Sequence, residues 1–316
     1  MSRNFAAFFP GQGSQSVGML DALAASAPVV RETFDEASDA LGFDLWALVS
    51  QGPREALDLT RNTQPAMLSA GIAVWRAWRQ AGGPAAAVMA GHSLGEYAAL
   101  VAAGALDFAD GVRLAATRAA LMQEAVPEGE GAMAAILGLG DQAVVELCAE
   151  QAHGEVLAAV NFNAPGQVVI AGGAEAVARA VVAAKAAGAK RALPLPVSVP
   201  SHCALMRPAA ERLAEQLASV EIHLPEVPVL HNASVSSAAD VADLRALLVR
   251  QLHQPVRWVE TVQAVAARGL GVGIECGPGK VLAGLNKRID DNLTTLPIFD
   301  PRSLEAALEA IEHAEG

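Results

Sequence analysis

Two periodicities alternate along the chain. Short apolar runs of strand length occur at Phe5 to Phe9, Ala85 to Ala90, Val227 to Asn232, Val272 to Glu275 and Thr295 to Phe299. Between them, apolar residues recur every three or four positions, which predicts helices over 28–41, 64–80, about 107–124, 205–219, 240–252 and near 258–268. Most of these runs are continuously apolar rather than alternating, as expected of parallel strands covered on both faces by helices. The middle of the chain has its own order. Pro127 and the run Glu128-Gly129-Glu130-Gly131 break the pattern. Strand, helix, strand, strand, helix and strand then follow at 132–137, 141–151, 156–161, 167–171, 174–187 and 191–195, with a turn at Ala164-Pro165-Gly166. That order is the ferredoxin-like unit. The pattern therefore predicts an α/β protein: a doubly wound parallel sheet built from residues 1–128 and 198–316, with a ferredoxin-like subdomain, residues 129–197, inserted into it.

Composition agrees and narrows the function. Of 316 residues, 53% are hydrophobic and 18% charged, enough to bury a large core. The net charge of −12, with no Lys/Arg-rich run, argues against nucleic acid and anionic membrane surfaces as partners. No apolar stretch has the length of a membrane span, and the N-terminus lacks the basic region and apolar core of a signal peptide, so a cytoplasmic protein is expected. Cys148, Cys203 and Cys276 are odd in number and far apart, which fits buried reduced thiols and neither a disulfide framework nor a metal-ligand set.

The chemistry concentrates at Gly91-His92-Ser93-Leu94-Gly95, a serine between two glycines after an apolar run and before a helical stretch, Glu96 to Ala103. This is the pattern of a nucleophile elbow: the glycines allow close backbone approach, and the following helix offers its first amides to an oxyanion. A serine needs a base, and the chain has seven histidines. His313 reads as part of a polar tail, His153 falls in the inserted unit, and His92 adjoins the serine but should point away from it. His202, in the rigid segment Val197-Ser198-Val199-Pro200-Ser201-His202 where the chain re-enters the large domain, can face a cleft between the lobes. No carboxylate between Ser93 and His202 stands out as a third triad member: Asp107, Asp110, Asp141 and Glu175 read as helix-start or surface residues. A neutral oxygen can orient the base instead. The loop Pro10-Gly11-Gln12-Gly13-Ser14-Gln15 lacks the spacing of a phosphate cradle, and Arg118, on a helix that also carries Arg113, reads in isolation as a surface residue.

Five ordered motifs carry a resemblance: Phe9-Pro10-Gly11-Gln12-Gly13-Ser14-Gln15, the elbow through Tyr97, Asn161-Phe162-Asn163-Ala164-Pro165-Gly166-Gln167, Pro200-Ser201-His202, and Glu275-Cys276-Gly277-Pro278-Gly279-Lys280-Val281-Leu282. Across nearly its whole length the chain resembles the bacterial malonyl-CoA:acyl carrier protein transacylases of type II fatty acid synthesis. The resemblance implies an α/β-hydrolase-like large domain with the ferredoxin-like insertion. It also implies transfer of malonyl from malonyl-CoA to the phosphopantetheine thiol of acyl carrier protein through a malonyl-serine ester. By the same resemblance Ser93 is the nucleophile, His202 the base and acid, and the backbone amides of Gln12 and Leu94 the oxyanion hole. Gln251 matches the position whose oxygen orients the histidine, and Arg118 the arginine that grips the malonyl carboxylate. Asn163 sits in a matched motif as a substrate-binding candidate, although a turn asparagine before Pro165 also serves to shape a loop. Ser201 is small where some related acyltransferases carry a bulky aromatic, which leaves room for a branched acyl group.

The expectations are thus an enzyme with no bound cofactor and no metal, monomeric, with malonyl-CoA and an acyl carrier protein as partners. An acidic carrier needs a local basic patch on this acidic chain, for which Lys185, Lys190, Arg191, Lys280, Lys287 and Arg288 are candidates. The competing readings are a Ser-His esterase that uses water, a carrier-binding module without turnover, and an acyltransferase of malonate decarboxylase or polyketide synthesis.

Overall fold

The computed structural model describes residues 4–197 and 199–314; the expected domain junction at residue 198 lies outside them, as do the terminal residues of the two predicted segments. Among the described residues nine strands form two sheets. β1 (Phe5–Phe9), β2 (Val88–Gly91), β7 (Val229–Leu230), β8 (Val272–Cys276) and β9 (Thr294–Ile298) make a five-stranded parallel sheet in the order β7-β2-β1-β8-β9. β3 (Gly131–Leu137), β4 (Leu157–Ala164), β5 (Gln167–Gly173) and β6 (Arg191–Pro194) make an antiparallel sheet in the order β4-β5-β3-β6. With helices Asp141–Gln151 and Ala174–Ala186 between its strands, the second sheet has ferredoxin-like topology. The fold is mixed α/β, as the hydrophobic pattern predicts.

β1 shows why its run is unbroken. Phe5, Ala7 and Phe9 face one core, where Phe5 meets Trp78 and Phe9 meets Trp75 edge-on at ring separations of 5.6 and 6.4 Å. Ala6 and Phe8 face the other, where Phe8 meets Trp258 at 5.8 Å. A strand in the middle of a covered sheet has no solvent face to mark with polar residues, and each buried phenylalanine contributes about 1.5–3 kcal/mol. The antiparallel sheet is tied to the segment between helices Val241–His253 and Trp258–Ala266, where Val256 exchanges backbone hydrogen bonds with β4, donating to Val160 and accepting from Phe162.

The structure departs from the hydrophobic pattern in several places, beginning with short helices at Asp21–Ser26, Leu45–Gln51 and Arg54–Leu57 that the pattern does not predict. The helix expected from Gln64 begins at Thr60. The strand expected over 227–232 pairs only at Val229 and Leu230, because Pro228 has no N–H for the ladder; His231 and Asn232 then leave it. Helix Val281–Ile289 follows β8, with the buried Glu275 carboxylate accepting from the amides of Leu282 and Ala283 at its N-terminus. His313 lies on a C-terminal helix, Pro301–Ala314, rather than in a polar tail, since Ala307 and Ile311 dock on the large core.

The elbow depends on two glycines. A Cβ on Gly91 would lie 1.8 Å from the carbonyl carbon of Gly95, and one on Gly95 would lie 2.0 Å from the carbonyl oxygen of Phe9. Backbone cannot give way as a flexible side chain can. Gly95→Ala is therefore expected to destabilise the protein by about 3 kcal/mol or more. Gly284→Ala, on an exposed helix position with open space around it, should stabilise by about 0.5–1 kcal/mol. Denaturant titration of both variants checks this, and equal effects would show that close approach does not govern the elbow.

Candidate active site

Ser93 sits on the turn between β2 and the helix Gly95–Ala102, with φ at 51°, in the left-handed region. That conformation costs a non-glycine residue about 1–2 kcal/mol, so its surroundings must hold it. The His92 amide donates to the carbonyl of Phe9 at 2.9 Å, Gly95 donates to His92, and the Ser93 amide donates to Oδ1 of Asn232 at 2.7 Å. The Ser93 carbonyl accepts from the Glu96 amide and from Nε2 of Gln251 at 2.9 Å. The turn projects the hydroxyl toward His202.

Oγ of Ser93 lies 2.7 Å from Nε2 of His202, a residue only 3% exposed. His202 is held by its amide, which donates to Leu252, and by Nδ1, 2.7 Å from the main-chain carbonyl of Gln251. A carbonyl can only accept, so the proton sits on Nδ1, the lone pair on Nε2 faces serine, and the serine hydroxyl donates to it. The neutral oxygen expected in place of a triad carboxylate is thus a backbone carbonyl at the end of helix Val241–His253. Burial first, and the Arg118 charge second, pull the His202 imidazole down to about 3 from its ordinary 6.5. The imidazole is neutral at physiological pH and available as a base.

Arg118 departs from the surface position that its helix pattern allows. It is 1% exposed, on helix Phe108–Glu124. Nη1 donates to Oε1 of Gln64 at 2.7 Å, and Nη2 donates to Oε1 of Gln251 at 3.0 Å and to Oγ of Ser93 at 3.2 Å. The guanidinium carbon stands 5.5 Å from the Tyr97 ring centroid, and Nε has no acceptor among the described residues. Every hydrogen-bond acceptor on this cation is neutral. Its helix neighbour Arg113 points outward to Asp110.

Gln12 lies exposed in the loop after β1, where a Cβ on Gly11 would come 2.4 Å from the carbonyl of His92, so this loop runs against the elbow. Neither the Gln12 nor the Leu94 amide donates to an acceptor among the described residues, whereas the Ser93 amide is occupied by Asn232. Asn163 is not hydrogen-bonded to the Ser93 cluster; its Oδ1 lies 2.7 Å from Nε2 of His92, whose ring leans on Trp258 at 5.4 Å. His92 therefore points away from the serine. Cys148, Cys203 and Cys276 are buried free thiols, and no group of three or more His, Cys, Asp or Glu that could hold a metal occurs among the described residues. No described helix is long and apolar enough to cross a membrane.

Sequence reasoning missed four residues around the serine. Gln64 anchors Arg118, and Asn232, Glu96 and His231 form a buried set behind the elbow. Glu96 is the only one with a legible signal, since it follows the second elbow glycine directly.

A family model for the acyl transferase domain matches residues 8–293. Over 304 residues the chain is 60% identical to the malonyl CoA-acyl carrier protein transacylase of Salmonella typhimurium, covering 96% of this chain and 98% of that protein. Among solved structures, an acyl carrier protein S-malonyltransferase from Vibrio cholerae superposes with a TM-score of 0.94 at 56% identity, covering 96% of this chain and 99% of that one. A malonyl-transacylase in complex with a type II polyketide acyl carrier protein superposes with a TM-score of 0.96 at 56% identity, covering 97% and 99%. With the motifs, the fold and near-complete alignment in agreement, the chain belongs to the acyl transferase domain family, among the malonyl CoA-acyl carrier protein transacylases.

Proposed function

We propose that this chain moves malonyl from malonyl-CoA to the phosphopantetheine thiol of an acyl carrier protein in fatty acid synthesis, with Ser93 as the nucleophile. His202 Nε2 takes the hydroxyl proton as Oγ attacks the thioester carbonyl carbon. The oxyanion accepts from the Gln12 and Leu94 amides, where each donor is worth roughly 3 kcal/mol. The C–S bond breaks, the CoA sulfur takes the proton from His202, and malonyl remains as an ester on Ser93. In the second half the carrier thiol gives its proton to His202, its sulfur attacks the ester carbonyl, and Oγ leaves with the proton. The atoms balance with these side chains and the two thiols, so we assign no resident cofactor.

The observation that carries the reading is Arg118: a buried cation with only neutral hydrogen-bond acceptors, 3.2 Å from the nucleophile. A malonyl carboxylate can replace the amide oxygens of Gln64 and Gln251 as a bidentate partner, whereas an acetyl methyl leaves the charge unpaired. The second substrate is an acidic carrier. Lys190 and Arg288 line a cleft with Gly138, Gly140, Pro165 and Gly166, and Arg191 is exposed beside them. We assign this basic surface to the carrier, and we assign a monomer acting in the cytoplasm. Asn163, bonded to His92, serves this reading as a shaper of the site wall rather than a substrate ligand.

Intact-mass measurement after incubation with malonyl-CoA should show one malonyl adduct, absent from Ser93→Ala and discharged by holo carrier protein. Lys190→Glu with Arg191→Glu should slow that discharge about tenfold while leaving loading unchanged. An adduct that water removes as fast as the carrier does would make the protein a hydrolase. Arg118→Ala should lower malonyl loading by about 10³-fold while acetyl loading is kept or rises. Equal loss of both acyl groups would contradict the clamp.

A further inference from the structure

Three residues that the transfer chemistry does not use form a closed ring with the elbow. Asn232, fully buried, spans it: Oδ1 accepts from the Ser93 amide at 2.7 Å, and Nδ2 donates to the Gly91 carbonyl at 2.7 Å. One side-chain amide thus ties the end of β2 to the nucleophile across His92. Its orientation is fixed, because an exchanged amide would set a donor against the Ser93 N–H and an oxygen against the Gly91 carbonyl. The main chain of Asn232 is fixed in turn. Its amide donates to Oε2 of Glu96 at 2.8 Å, and its carbonyl accepts from Arg257 at 3.2 Å. Oε1 of Glu96 lies 2.8 Å from Nδ1 of His231. Glu96 is on the first turn of the elbow's own helix, wholly buried, and His231 is 1% exposed with no partner at Nε2 among the described residues. A carboxylate can only accept, so His231 carries a proton on Nδ1, and Glu96 grips two successive residues of the segment that leaves β7 after Leu230.

We propose that Asn232 is a positioning residue for acyl transfer, and that Glu96 acts through it. The pair holds Ser93 at its left-handed φ and removes the Ser93 amide from the hydrogen-bond donors facing the substrate, so that Leu94 becomes the elbow's oxyanion donor. Two facts support this over simple core filling. Both polar atoms of the Asn232 side chain are spent on the backbone that flanks the nucleophile, and none on its own segment. Glu96 lies on the elbow helix and fixes Asn232, so the ring closes through Ser93 itself. With both partners gone, Ser93 is free to relax toward ordinary backbone angles, moving Oγ from His202 and the Leu94 amide from the oxyanion. Substrate affinity, set by groups outside the ring, is untouched.

The inference rests on Ser93 being the acylated residue, and the test separates the two. Single-turnover acylation by malonyl-CoA is followed by quenched mass measurement, with the wild-type chain as reference. If wild type takes no acyl group, the functional reading fails; if it does, the variants judge the ring. Asn232→Ala is expected to lower the saturating acylation rate about 100-fold, with the half-saturating malonyl-CoA concentration within about threefold of wild type. Glu96→Ala should lower it about tenfold alone and less than about twofold in the Asn232→Ala background, because its effect runs through Asn232. Glu96→Gln should restore most of the rate, since His231 can shift its proton to Nε2 and leave Nδ1 to accept from the new amide. Asn232→Asp, isosteric but without the donor to Gly91, gives the same rate-against-affinity split if an alanine variant does not fold. Acylation within about threefold of wild type in the Asn232 variants, a loss confined to affinity, or additive effects in the double variant would overturn the proposal.

Discussion

Taking a guanidinium out of water costs several kcal/mol unless the protein supplies a partner, and Arg118 has been given only half of one. Amide oxygens of Gln64 and Gln251 and the Ser93 hydroxyl accept from Nη1 and Nη2, Nε meets no acceptor among the described residues, and none of the three acceptors brings a negative charge. The buried carboxylate on the neighbouring helix, Glu96, is spent on His231 and Asn232. The pocket is therefore electropositive in a strongly acidic protein. Burial first, and this charge second, lower the basicity of His202; the charge, which has no anion hydrogen-bonded to it, also polarises the serine hydroxyl and selects an acyl group that arrives with its own carboxylate.

The same charge explains why the histidine is oriented by a backbone carbonyl rather than a carboxylate. A carboxylate on Nδ1 would raise the imidazole's pKa and would offer Arg118 a partner nearby, filling the place reserved for substrate. The carbonyl of Gln251 fixes the tautomer without adding charge, while the Gln251 side chain serves Arg118 and the Ser93 carbonyl. One residue at a helix end thus sets base, clamp and elbow together. The geometry of that elbow is held in turn by glycines whose added Cβ atoms would collide with backbone.

Much of this was legible in the chain. The continuous apolar strands, the glycine spacing of the elbow and the βαββαβ order all report local backbone needs, and the structure meets them at Phe5–Phe9, Gly91–Gly95 and Gly131–Pro194. What escaped are features no single residue encodes. Arg113 and Arg118 share a helix, and only packing sends one to solvent and the other to the nucleophile. The Gln251 main-chain carbonyl would be present with any side chain at that position. Asn232 and His231 lie 139 and 135 residues from their elbow partners, Ser93 and Glu96, and their role appears only once β7 is seen to end early. The C-terminal helix is written in the chain as a stripe at helical spacing, Leu304, Ala307, Leu308 and Ile311, which docks it on the large core although charged residues alternate with the stripe.

The account stands on the uncompensated charge of Arg118, and its most direct readout is the ionisation of the imidazole that faces it across the serine. An NMR titration of the His202 ring in the wild-type protein and in Arg118→Met should find it neutral far below its ordinary value of 6.5 in the first, and titrating distinctly higher in the second. A ring that titrates near 6.5 in the wild type and does not move when Arg118 is replaced would contradict the account.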